Sequence, residues 1–210
     1  MKDINSLLEL FVTDSDGGSD WSSTPFKIGD KVYATDRHVM LIIPSEFAPN
    51  IHDLEGYDKD NVLKVIPKSG QVLKTISAKD ILIALKAVPT VKEDKECESC
   101  KGECQVEFRY TYKGRDYTSD DDCPVCDGNG SLDDANGKLI PDASKAITIG
   151  KSTFSPLIVK KIYQLCKYFD LSDLDLVSQE SIESATLFSK NHIYILAMPV
   201  IERESVYEIK

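Results

Sequence analysis

The chain has 210 residues, of which 41% are hydrophobic and 29% charged, enough for one large domain with a small insertion and a self-sufficient core. Its formal net charge of -10 argues against a simple nucleic-acid-coating protein, because phosphate binding needs clustered Lys and Arg, but does not exclude DNA, since a local basic face can coexist with an acidic total. The acid is uneven: residues 91–145 hold 14 Asp or Glu against 8 Lys or Arg.

Ile4, Leu7, Leu8 and Phe11 recur at helical spacing behind Asp3, which predicts a capped first helix. Pro25–Ile28 and Lys31–Ala34 flank Gly29-Asp30, a hairpin turn signal. Val39–Ile43 is an unbroken apolar run, as a strand buried on both faces requires, and Val62–Ile66 and Val72–Ile76 read as two further strands. A second helix opens at Ser77 with Asp80 three residues on, buries Ile81, Leu82, Leu85 and Val88, and stops at Pro89. A third has Ser155 as its cap and Pro156 at its first position. Ile158, Ile162, Leu165, Cys166 and Phe169 line one face of it, which makes Cys166 a core residue. Leu174–Val177, Ala185–Phe188, Ile193–Met198 and Val206–Ile209 read as strands. No apolar run approaches the ~20 residues of a membrane-crossing helix, and the start of the chain, with Asp3 and Glu9, lacks the form of a signal peptide. A reducing cytoplasm is the expected compartment, where cysteines are thiols or metal ligands.

Two segments match in form. Val32–Ile42 and Thr186–Leu196 are each strand, polar turn, strand. His38 and His192 fall at the same place, and Pro44 and Pro199 follow the second strands. Each lies downstream of an amphipathic helix, so the pattern predicts an internal duplication of a helix-plus-strands unit. A charge reversal in the polar turn, at Lys190, is expected to matter little.

Five of the six cysteines lie within Cys97–Cys126. Cys97-Glu98-Ser99-Cys100 and Cys123-Pro124-Val125-Cys126 are two pairs separated by 22 residues, the spacing of a four-thiolate Zn2+ site. Each pair can form a tight knuckle, and Gly102 and Gly128 let the backbone turn back toward the sulfurs. Cys104 remains open as a spare thiol, an alternative ligand or a redox-sensitive neighbour. The segment between the pairs alternates and turns like a hairpin, and it has few large apolar residues, so a metal would supply most of its folding free energy. Cys123-Pro124-Val125-Cys126-Asp127-Gly128-Asn129-Gly130 resembles the Cys-x-x-Cys-x-Gly-x-Gly repeat of the cysteine-rich domain of DnaJ co-chaperones. The first motif matches except that Cys104 replaces the last glycine. That family carries four repeats, so this module resembles half of the domain. His-Pro-Asp, the mark of a J-domain, is absent.

The flanking sequence carries a second resemblance. Val32-Tyr33-Ala34-Thr35-Asp36-Arg37-His38 is similar to the Ala-Thr-Asp-Gly-His strand-turn of bacterial DNA polymerase sliding clamps, with Arg37 in place of glycine. Ile195-Leu196-Ala197-Met198-Pro199-Val200 is similar to the clamp's ending, and Thr75–Leu82 to its strand-to-helix entry. The resemblance implies an α+β, clamp-like domain of two helix-plus-strands repeats, formed by residues 1–90 and 146–210, with a zinc-knuckle β-hairpin inserted at 91–145.

No phosphate loop or nucleophile elbow is present, and His38, His52 and His192 stand without a motif. Asp120-Asp121-Asp122 reads as a solvated acidic loop. A closed four-cysteine site has no position for substrate or water. The expected function is therefore non-enzymatic: zinc bound by Cys97, Cys100, Cys123 and Cys126, a protein partner, and DNA as a second candidate partner. Phe108, Tyr110, Tyr112 and Tyr117 are candidate contact residues. The alternatives are a DnaJ-like client-binding or thiol-exchange module and an enzyme with an unrecognised site.

Overall fold

The computed structural model describes residues 3–13, 21–68, 70–134 and 136–210. The chain divides into two compact units, Met1–Pro89 with Asp142–Lys210, and Thr90–Pro141. In chain order the first unit has α1 (Ile4–Glu9), β1 (Phe26–Ile28), β2 (Lys31–Thr35), β3 (Val39–Pro44), α2 (Lys59–Lys64), β4 (Lys74–Ser77) and α3 (Ala78–Ala87). The second unit contributes β5 (Thr90–Lys92), β6 (Lys95–Glu96), β7 (Gln105–Tyr112), β8 (Arg115–Asp122), β9 (Ser131–Leu132) and β10 (Leu139–Pro141). The first unit resumes with β11 (Lys145–Ile149), β12 (Ser152–Phe154), α4 (Pro156–Phe169), β13 (Asp173–Ser178), β14 (Thr186–Lys190), β15 (Ile193–Ala197) and β16 (Glu204–Ile209). Among the described residues no helix is long and apolar enough to cross a membrane.

The predicted caps are present. Asp3 accepts the Asn5 N–H at 3.0 Å, Ser77 accepts that of Asp80 at 3.0 Å, and Ser155 accepts that of Ile158 at 3.3 Å ahead of Pro156. One element differs. Val62–Ile66, read as a strand, lies in α2 and the turn after it, because Asp58 accepts the Asp60 N–H and starts a helix there. The expected strand Val72–Ile76 runs instead from Lys74 to Ser77, with Val72 exposed ahead of it.

The first unit is built on a seven-stranded antiparallel sheet, ordered β1-β2-β3-β15-β14-β13-β4. Both faces are covered. Val32, Val39, Leu41, Ile43, Phe188 and Ile195 join a core shared with α1, α3 and α4, while Tyr33, Met40, Ile42, Leu187 and Leu196 join a smaller one containing Phe26, Leu54 and Val62. A three-stranded sheet, β12-β11-β16, pairs β16 in parallel with β11. Gln179 ties the two sheets together: its side-chain amide donates to the Ile149 carbonyl at 3.0 Å and to Thr186 Oγ1 at 3.1 Å, and its oxygen accepts the Lys151 N–H at 2.7 Å.

The two matched hairpins lie side by side in the large sheet. In β2–β3, Tyr33 faces Ile42 and Ala34 faces Leu41. In β14–β15, at positions 154 higher, Leu187 faces Leu196 and Phe188 faces Ile195. The seam between them keeps the same symmetry: Ile42 pairs with Tyr194, Met40 with Leu196, and Leu41 with its own counterpart Ile195. A local two-fold relation therefore passes through the Leu41–Ile195 pair. Val39, Leu41, Ile193 and Ile195 occupy equivalent places, each at most 2% exposed.

The turns of the hairpins are closed differently. In the first, Asp36 Oδ1 accepts the N–H groups of His38 and Val39 at 2.9 and 2.8 Å, and Thr35 Oγ1 donates to the Val39 carbonyl at 3.0 Å. Arg37 is left-handed there, at φ 71°, the geometry that favours glycine. In the second, Asn191 and His192 are both left-handed, as a two-residue hairpin turn demands. Lys190 corrects an expectation. It is not a free turn residue but bridges Asp173 and Asp175, and the equivalent Asp36 is paired with Lys161 at 2.6 Å.

Candidate metal centre

The second unit is short strands hung on two knuckles. Cys97–Cys104 and Cys123–Gly130 are one motif repeated, ending on cysteine in the first copy and on glycine in the second. Lys101, Gly102 and Cys104 have positive φ, and so do Asp127, Gly128 and Gly130 at the matching places. The knuckles are cross-linked reciprocally: the Cys97 N–H donates to the Gly130 carbonyl at 2.9 Å, and the Cys123 N–H to the Cys104 carbonyl at 2.8 Å. β7 and β8 join them, eight residues each in unbroken register, closed by Lys113-Gly114 with both residues at positive φ.

This folding converges the four sulfurs. The Sγ atoms of Cys97, Cys100, Cys123 and Cys126 all lie within 4.8 Å of one another, and the four residues are buried. Cys97 and Cys123 are 3.9 Å apart, and Cys100 and Cys126 are 3.7 Å apart. A disulfide needs ~2.05 Å. A tetrahedral metal with bonds of ~2.3 Å places its sulfurs ~3.8 Å apart, so the residues fit a metal ion. The backbone supports the charged form, with the Gly130 N–H aimed at Cys126 Sγ at 3.2 Å. The Cys100 N–H, ahead of other influences, holds the Cys97 thiol down at about 7, while burial pushes Cys100 up to about 12 and raises Cys126. Four thiolates this close cannot coexist without a cation between them.

Cys104 lies outside the converging group. It is half-buried, and its Sγ approaches the Gly102 carbonyl at 3.6 Å. Its φ of 67° places it where Gly130 stands in the sister knuckle. Cys166 sits in the core of the first unit, its thiol pushed up to about 12 by burial. His38, His52 and His192 are exposed. Asp120–Asp122 belong to β8 rather than to a loop, all three of them exposed.

Among the recesses of the first unit is one that sequence reading missed. Asp36, His38, Pro156, Ile158, Val200 and Arg203 are among the residues around a cavity of ≈ 280 Å³ at the start of α4. The Met198 N–H donates to the His38 carbonyl at 2.8 Å, so the Thr-Asp turn and the Met-Pro segment meet at its rim. The signal lay in those two motifs, but nothing local to either showed that they touch.

No family model and no curated protein matches the sequence. Among solved structures the chain is similar to the Helicobacter pylori beta clamp bound to a DNA ligase peptide, with a TM-score of 0.46 and 11% identity over 94% of this chain and 62% of that one. It is also similar to the DNA polymerase sliding clamp from Pseudomonas aeruginosa, with a TM-score of 0.45 and 9% identity over 94% of this chain and 64% of that one. The chain thus spans less than two thirds of the length of either clamp.

Proposed function

We propose that this protein is a non-enzymatic binding module that carries one structural zinc ion and presents a clamp-like body to a protein partner in DNA metabolism. The observation that carries the zinc assignment is the set of four buried sulfurs at tetrahedral-edge separations. Four-sulfur tetrahedral sites suit zinc or iron–sulfur chemistry, and a single ion fits sulfurs so near one another. With all four positions taken by protein, the ion serves folding and leaves no vacancy for a reacting water. The reciprocal knuckles support the likeness to half of a DnaJ-type cysteine-rich domain.

The clamp-like reading of the body rests on its own symmetry. Two helix-plus-strands units share one sheet about the Leu41–Ile195 pair. The recess at the start of α4 joins both clamp-resembling segments and has apolar walls at Pro156, Leu157, Ile158 and Val200, suited to an apolar anchor of a partner peptide. Metal analysis of the purified protein tests the first half: one zinc per chain is expected, and a metal-free, reduced, folded second unit would refute it. For the second half, short peptides with paired apolar side chains should protect residues 36–38, 155–158 and 198–203 from hydrogen exchange. Leu157→Glu should abolish that protection, and protection of other segments alone would count against the recess.

A further inference from the structure

The β7–β8 ribbon has two faces of opposite character. Pairing places Tyr110 opposite Tyr117 and Tyr112 opposite Arg115, so Phe108, Tyr110, Tyr112, Arg115 and Tyr117 share one face. The four aromatic rings on it remain 40–59% exposed, far more than a role in covering the knuckles would leave. Only Val106, at the base of that face, packs against the cysteines. The reverse face carries Glu107, Arg109, Asp116, Asp120 and Asp122. Three of these are occupied there: Arg109 pairs with Glu107 at 2.5 Å, and Asp116 accepts from Thr111 at 2.6 Å.

Charge on the aromatic face is therefore set by Arg115 and by Lys113, whose ammonium lies over the Tyr112 ring at 5.2 Å. The one acid on that face, Asp121, is at the far end, opposite Val106. Tyr110 and Tyr117 are stacked on each other, with centroids 5.4 Å apart and planes at 14°, next to Tyr112 along the strand. Exposed rings in a row with cations at their end are the elements of a single-strand platform, because every base has a face to stack and a phosphate to neutralise. A duplex would bring its phosphates to the rings and hide its bases, and the acidic reverse face repels either form.

We propose that the aromatic face of the β7–β8 ribbon binds single-stranded nucleic acid, with bases stacked on Tyr110, Tyr112 and Tyr117 and phosphates held by Arg115 and Lys113. The assignment rests on the metal reading only in that the thiolate cluster anchors the base of the ribbon. Zinc content is therefore measured on every sample, so loss of the ribbon and loss of the binding face give different results.

The test is fluorescence anisotropy of the full chain with labelled oligothymidine and oligouridine of about 12 nucleotides. Saturable binding at low salt is expected, with the logarithm of affinity falling against that of salt at a slope of about -1.4 for two neutralised phosphates. Tyr110→Ala and Tyr112→Ala should each weaken binding roughly 10-fold at unchanged zinc content. Arg115→Glu should flatten the salt dependence, and Glu107→Gln on the reverse face should not weaken binding. A preference between the two oligonucleotides assigns DNA or RNA. The proposal is overturned if zinc-loaded protein binds neither oligonucleotide, or binds both undiminished in the tyrosine variants. Binding of an oligoarginine peptide that Glu107→Gln weakens, without oligonucleotide binding, would likewise replace it with a basic protein partner on the acidic face.

Discussion

The two units solve the same problem by different means. In the first, a seven-stranded sheet is covered on both faces, and its largest fully buried side chains include Phe11, Phe154, Phe188, Leu41 and Ile43. In the second, the buried cluster consists of four cysteines with Val106 packed beside them. Its large side chains, Val91, Phe108, Tyr110, Tyr112, Val125 and Leu139 among them, face solvent. A segment of that size cannot remove enough apolar surface from water to offset chain entropy. Something other than the hydrophobic effect must tie it, and the four converging thiols could do so by holding a metal ion.

That contrast can be broken most severely by withdrawing the proposed metal. Chelation, or Cys123→Ser, should remove most of the roughly 10–16 kcal/mol that a structural zinc contributes. Hydrogen exchange should then show β7–β10 unprotected while β2, β3 and β15 keep their protection. Excising residues 92–138 with a short Gly-Ser link should leave the first unit cooperatively folded. The cut joins neighbours, since Val91 and Leu139 lie one register position apart across β5 and β10, where Val91 pairs with Ile140. An unfolded product by circular dichroism would show that the first unit depends on the second.

Next in size are truncations of the apolar core. Leu41→Ala or Ile195→Ala should each cost about 2–5 kcal/mol in denaturant unfolding, whereas Phe108→Ala should stay within about 0.5 kcal/mol. Gln179→Ala leaves the Lys151 N–H and Ile149 carbonyl without their partner and should cost about 1–3 kcal/mol. Equal effects of Leu41→Ala and Phe108→Ala would erase the distinction between the units.

Smaller effects belong to charge and backbone. The Lys190 hydrogen bond holds the Asp173 carboxyl below its ordinary range, and the same bond raises Lys190. The Asp173 contribution is present above the ordinary carboxylate pKa and lost as pH falls through its depressed folded value. The Lys190 contribution is present below the ordinary lysine pKa and lost as pH rises through its raised one. Lys190→Gln should therefore flatten the acid side of the stability profile, and Lys190→Glu should destabilise at neutral pH by setting three carboxylates together. Last, Cys104→Gly should stabilise the second unit by up to about 1 kcal/mol, since a left-handed residue with a side chain is strained by roughly that much, with zinc content unchanged. A loss of zinc in that variant would make Cys104 a ligand.

Much of this was legible where local chemistry decides the outcome. Asp3, Ser77 and Ser155 announced their helices because a cap is a property of a few adjacent residues. The two cysteine pairs announced their convergence because a four-thiolate site demands a spacing. Val62–Ile66 was misleading because a short apolar run suits strand or helix equally, and the deciding residue, Asp58, lies outside it. β11 and β12, the hairpin around Gly150, were not recognised, and the pairing of β11 with β16 joins residues 59 apart between Lys145 and Glu204, which no local pattern reveals. The recess at α4 was hidden for the same reason. The register symmetry was half visible: the matching hairpins could be read along the chain, but their meeting at Leu41 and Ile195 is a fact of the sheet.

The reciprocal bonding of the knuckles has a kinetic meaning. Cys97 and Cys123 are 26 residues apart, and each knuckle's backbone completes the other, so neither half is a finished binding site alone. The sulfurs meet only when β7 and β8 zip, an event of ~1–10 μs for a hairpin, and one that is marginal in water without support. If the metal-free chain closes only a fraction of the time, its apparent affinity for a metal is the intrinsic affinity scaled by that fraction. Lys113 and Gly114, at the opposite end of the ribbon from every sulfur, both sit at positive φ, so a substitution of Gly114 is expected to lower that fraction. How tightly a metal would be held then depends on that turn as well as on the cysteines.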